Sequence, residues 1–153
     1  MSTSVLKQSG FTLVEAMVSL VVLSVGMIGI AALYAQGLGA ERTAIYRTQA
    51  VNLVADMADR IRSNRLGQAA YAGGAANNGC DPQSGGANCT PAQMAAHDLF
   101  VWNQQVTALL PGGQWQIQYN PGALPPSVTL NLTWTEVNQG QVTHQMLIQV
   151  PNN

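Results

Sequence analysis

The chain has 153 residues, a formal net charge of −1, 47% hydrophobic residues and only 8% charged ones. Its length suits one small domain with an appendage, and so little charge, against roughly 25% in an ordinary soluble protein, means that part of the chain avoids water. The balance provides no electrostatic footprint for nucleic acid. No Ser/His/Asp set, paired acids or phosphate loop can be assembled, so the sequence predicts no enzyme and no cofactor.

From Phe11 to Ala35 there are 25 residues with one charge, Glu15. As a helix this run reaches roughly 37 Å, enough to cross a bilayer core of about 30 Å. Lys7 and the amino terminus precede it, and Glu41 and Arg42 follow. The positive-inside rule therefore puts the N-terminus in the cytoplasm and residues beyond Gln36 outside. No A-x-A secretory cleavage pattern follows the run. A carboxylate at bilayer centre costs up to roughly 2.5–3.5 kcal/mol, which makes Glu15 functional by default. The structural alternative is a headgroup position near the positive end of the helix. Gly26 and Gly29 each weaken the helix by roughly 1 kcal/mol relative to alanine, and serve either local unwinding or close helix packing.

The stretch Gly10-Phe11-Thr12-Leu13-Val14-Glu15 in front of this run resembles the processing site of the type IV pilin and pseudopilin superfamily. The resemblance implies a leader over residues 1–10, cut by prepilin peptidase between Gly10 and Phe11, and methylation of the new N-terminal Phe11. It also implies that Glu15 neutralises the amine of a neighbouring subunit when residues 11–36, the membrane helix, enter a filament core. Loss of the leader with Lys7 leaves five arginines against seven acidic residues.

Residues 37–66 continue the helix in amphipathic form. Tyr46, Ala50, Leu53, Val54, Met57 and Ile61 share one face, and Asp56 and Asp59 precede Arg60 and Arg62 at pairing distances. Arg60, Arg62 and Arg65 complement the negative helix end, and Gly67 supplies the stop. The globular region then runs over 67–153. Residues 67–89 are rich in Gly, Asn, Ala and Ser, with few large apolar groups, and predict a surface loop. Within it Cys80 and Cys89 suit a disulfide better than a metal site. That disulfide needs an oxidising compartment, and free thiols are the cytosolic alternative.

Thr90-Pro91-Ala92-Gln93 combines an N-cap, a first-turn proline and a capping-box glutamine. It starts a helix over 91–110 whose apolar face is Ala95, Leu99, Trp102, Val106 and Leu109. Alternation of period two then marks three strands over 114–150: Trp115, Ile117 and Tyr119; Val128, Leu130, Leu132 and Trp134; and Val142, Met146, Ile148 and Val150. His144 falls on the last apolar face with no second ligand at metal spacing. For the final hairpin, parity predicts a three-residue loop, Asn138-Gln139-Gly140, with Gly140 left-handed. Trp134 is then opposite His144, Leu132 opposite Met146 and Leu130 opposite Ile148. The apolar strand face is expected to pack near Leu53, Met57 and Ile61, leaving a Thr-rich face for water or a sister subunit.

These elements predict an α+β fold: a long N-terminal helix on a three-stranded antiparallel meander, with one further helix, which is also the architecture that the pilin resemblance implies. Ala55-Asp56-Met57-Ala58-Asp59-Arg60-Ile61-Arg62-Ser63-Asn64 and Cys89-Thr90-Pro91 resemble the PilV-type minor pilins. That resemblance implies an assembly role in a priming or tip complex of a type IV pilus. The implied partners are prepilin peptidase, other minor and major pilins and a tip adhesin. The implied location is the bacterial inner membrane with a periplasmic C-terminal domain, and then the cell-surface filament. A minor pseudopilin of type II secretion is the alternative.

Overall fold

The computed structural model describes residues 10–81, 88–137 and 139–150. Helix α1 spans Leu13–Ser63, a 3-10 turn spans Arg65–Ala72 and helix α2 spans Pro91–Leu109; strands β1 (Gln114–Asn120), β2 (Ser127–Glu136) and β3 (Gly140–Gln149) follow. The strands form one sheet in the order β1-β2-β3, with both pairs antiparallel. The fold is α+β, as the sequence predicts. The chain divides into two compact units, the first ending at Glu41 and the second beginning at Arg42.

Through the first unit α1 is unbroken, Gly26 and Gly29 included, and every residue from Leu13 to Arg42 is exposed. In the second unit the helix turns amphipathic. Ala50, Leu53, Val54, Met57, Ala58 and Ile61 are buried in one cluster with Leu99, Trp102 and Val106 of α2 and Val128, Leu130, Leu132 and Trp134 of β2. The indole Nε1 of Trp102 donates to the Leu53 carbonyl oxygen at 2.8 Å, and its ring meets Trp115 edge to face at 5.8 Å. The capping box forms: Gln93 N donates to Thr90 Oγ1, and Thr90 N donates to Gln93 Oε1.

Three expectations need correction. First, α1 stops at Ser63, not at residue 66, so Arg65 and Gly67 lie in the 3-10 turn. Gly67 does not end the helix; it permits a close approach, because a Cβ there would stand 2.5 Å from the Pro91 carbonyl oxygen. Second, the start of the 67–89 segment is core, with Gln68 and Tyr71 buried. One aromatic ring buries enough area to anchor a stretch of otherwise small residues. Third, at the end of α2, Leu109 is 42% exposed and Leu110 is buried instead. The chain leaves the helix there with Leu110 extended, which turns that side chain inward.

The final hairpin keeps the expected parity but shifts by two residues. Trp134 pairs with Val142, Leu132 with His144, Leu130 with Met146 and Glu136 with Gly140. Burial of one face excludes odd shifts only. Gly140, expected as the last loop residue, instead opens β3 opposite Glu136, which is buried. Gly140 has φ 75°, the left-handed conformation expected. Asn138, expected in the loop, lies outside the described residues.

Candidate functional site

Two groups of residues carry the chemistry of this chain, one in each unit. In the first, the helix begins beside Thr12, whose Oγ1 accepts from Glu15 N at 3.3 Å. Glu15 sits in the first turn, where the unpaired N–H groups favour a carboxylate. Ser19 and Ser24 turn their hydroxyls back onto the carbonyl oxygens of Glu15 and Leu20, so both are satisfied within the helix. Among the described residues no donor reaches the Glu15 carboxylate. Around it Phe11, Leu13, Val14, Met17 and Val18 are all exposed. The helix is long and apolar enough to cross a membrane. Gly10, Phe11 and Glu15 thus lie together at one end of an uncovered apolar surface, with a single acid that needs a cationic partner in any apolar environment.

In the second unit two ionic networks fix the globular fold. Arg47 of α1 grips Glu136 with two hydrogen bonds of 3.0 Å, Nε to Oε1 and Nη2 to Oε2. Its Nη2 also donates to Gln139 Oε1, and Trp134 Nε1 donates to Glu136 Oε1 at 3.1 Å. The Glu136 side chain has no exposed surface, whereas Arg47 is half exposed. The Arg47 hydrogen bonds hold the Glu136 carboxyl below the usual range, against the opposing effect of burial.

The second network joins α1, the 3-10 turn and α2. Arg60 bridges Asp56 and Asp98, and the Tyr71 hydroxyl donates to Asp98 Oδ2 at 2.5 Å. Burial opposes the Arg60 charge, but hydrogen bonds and charge from Asp56 and Asp98 outweigh it and hold the guanidinium above its usual value. Burial, then the bond to Asp98, pushes the Tyr71 phenol up as well. Arg62 pairs with Asp59. These arginines therefore serve packing and helix-end charge, with carboxylates already in place on Arg60 and Arg62.

Cys80 and Cys89 are joined in a disulfide. Asn78 Nδ2 donates to the Gln93 carbonyl oxygen, and Ala76 N donates to Ala96 O, so the strand of chain before the disulfide runs along α2. His144 is half-buried opposite Leu132. Among the described residues no cluster of His, Cys, Asp or Glu could hold a metal. Sequence reasoning found the pairs Asp56–Arg60 and Asp59–Arg62 but missed Asp98 and Tyr71 in that network and the whole Arg47–Glu136 pair. Glu136 carried a usable signal, since it is the only Asp, Glu, Lys or Arg after Asp98.

Residues 6–31 match a family model described as the prokaryotic N-terminal methylation motif. Residues 32–100 match one described as type IV pilin Tt1218. The two matches abut, and together they cover residues 6–100, through α1 and into α2. No curated protein and no solved structure matches the chain.

Proposed function

The chain belongs to the type IV pilin superfamily, and from that premise we propose that it is a minor subunit of a type IV pilus, of the PilV type, with a role in assembly. Prepilin peptidase cuts after Gly10 and Phe11 becomes the methylated N-terminus. Before assembly the helix over residues 11–36 holds the protein in the inner membrane, with the second unit in the periplasm, an oxidising compartment in keeping with the Cys80–Cys89 bond.

One observation carries the reading: Glu15 is the single charge of the stretch 11–40 and lies in the first turn of α1, as the fifth residue of the chain that cleavage after Gly10 leaves. In the low-dielectric core of a filament an unpaired carboxylate is costly, and a nearby amine relieves that cost. The new N-terminus of a neighbouring subunit is such an amine. Sister minor pilins, the major pilin and a tip adhesin are the partners this role requires, and the ionic networks of the second unit keep its docking surfaces rigid.

The test separates insertion from assembly. Glu15→Gln removes charge and leaves the apolar area, so the variant reaches the inner membrane in normal amounts but is depleted from sheared filaments by about tenfold or more, equivalent to about 1.4 kcal/mol of lost assembly free energy. Normal incorporation of the glutamine variant refutes the role.

A further inference from the structure

We propose that the outer edge of β3 is a strand-docking site, which takes an extended, uncharged segment of a different pilus polypeptide by β-addition. The inference rests on the reading of this chain as a filament subunit. β3 is an edge strand of ten residues. Its pairing with β2 is one to one from Ser127–Gln149 to Glu136–Gly140, with no bulge. It contains no charge and no proline. Soluble proteins protect long edges with lysine, proline, bulges or a covering element, because an unpaired row of N–H and C=O groups is a template for another strand. None of the sequence devices is present here.

The sequence that forms the sheet is equally neutral. From Leu99 to the C-terminus the only formally charged side chain is Glu136, and it is covered by Arg47. Gln141, Thr143, Gln145 and Gln149 are exposed on the outer face, with Leu147 at 62% exposure among them. Cross-strand bonds tie that face to β2, Thr133 with Thr143 and Gln145 to Asn131. On the inner face Val142 and Met146 are only half-buried, although their β2 partners Trp134 and Leu130 are fully in the core. The apolar layer is therefore incomplete at this edge. A further strand with apolar groups inward and neutral polar groups outward completes it, whereas a charged strand finds no counter-charge in β3 itself.

Among the described residues no segment of this chain pairs with that edge, and a second copy's β3 does not fit it. A β3–β3 pair is antiparallel about a twofold axis and closes, while a filament grows through heterologous contacts. The other edge strand, β1, is shorter and already has the 3-10 turn packed against it. The occupant is therefore a segment of another subunit.

The test compares the full-length protein free in detergent micelles with the same protein in sheared filaments, by amide hydrogen exchange and by a photo-crosslinking residue at Gln145. In filaments, exchange over residues 140–149 slows by about tenfold or more. Adducts map to an uncharged stretch of at least about five residues in a different pilus protein. The double substitution Thr143→Lys, Gln145→Lys abolishes that protection while the Cys80–Cys89 bond still forms. Unchanged exchange in filaments that contain the chain, adducts to a second copy, or protection that survives the two lysines overturns the proposal and leaves the functional reading standing. Absence of the chain from filaments overturns both.

Discussion

Substituting Tyr71→Phe isolates the contact that turns a Gly- and Ala-rich segment into part of the core. The Tyr71 residue is fully buried, and its hydroxyl donates to Asp98 Oδ2. Phenylalanine keeps the ring and its packing, so the change removes one hydrogen bond to a charged acceptor, worth roughly 1.5–3 kcal/mol. Asp98 retains Arg60 Nη1 at 2.9 Å, which keeps the loss within that range. For a unit of this size about 1 kcal/mol corresponds to about 4 °C, so the expected fall in melting temperature is roughly 6–12 °C. Thermal unfolding of the full chain in detergent, followed by near-ultraviolet circular dichroism of the buried tryptophans, reads it. Alkaline pH supplies an independent check. Burial and Asp98 hold the phenol above its ordinary value near 10, so the folded state keeps that proton longer than the unfolded chain. The tyrosine's advantage over phenylalanine is full below about pH 10 and shrinks as pH rises beyond it. A fall of under about 0.5 kcal/mol, or an equal fall in an Asp98→Asn background, refutes the reasoning.

Glu136→Gln acts at the acid end. The carboxyl is held below the usual range by Arg47, so its stabilising effect is present above the ordinary glutamate value of about 4.3 and is lost as pH falls through the lower folded value. The glutamine variant therefore unfolds more readily at neutral pH, and its deficit narrows on acidification; a constant deficit from pH 7 to pH 2 contradicts the pairing. Replacing Cys80 and Cys89 together by serine opens a loop with a sequence separation of 9 and costs roughly 2–3 kcal/mol. Denaturant titration checks it, and an unchanged midpoint contradicts a stabilising role.

Periodicity made most of this architecture legible before any coordinates. The apolar run, the amphipathic turns from Tyr46 to Ile61, the Thr90–Gln93 capping box and the alternating strands all express local rules of period and capping, and each formed. What remained hidden depended on contacts between distant segments. Tyr71 lies in the segment whose composition predicts a surface loop, and only its contact with Asp98, 27 residues away, reveals its place. The two-residue shift of the last hairpin is invisible to parity, because even shifts keep every side chain on its face. Arg47 and Glu136, separated by 89 residues, add a half-exposed ion pair at the same end of β2. The N-terminal group was legible for the opposite reason, since Gly10, Phe11 and Glu15 are contiguous and need no tertiary contact to be recognised.

The most direct test of the central claim is the mass of the N-terminal peptide of this protein recovered from sheared filaments. A subunit processed after Gly10 gives a chain that begins at Phe11 with a methylated amine. Recovery of an intact chain beginning at Met1 in assembled filaments would contradict it.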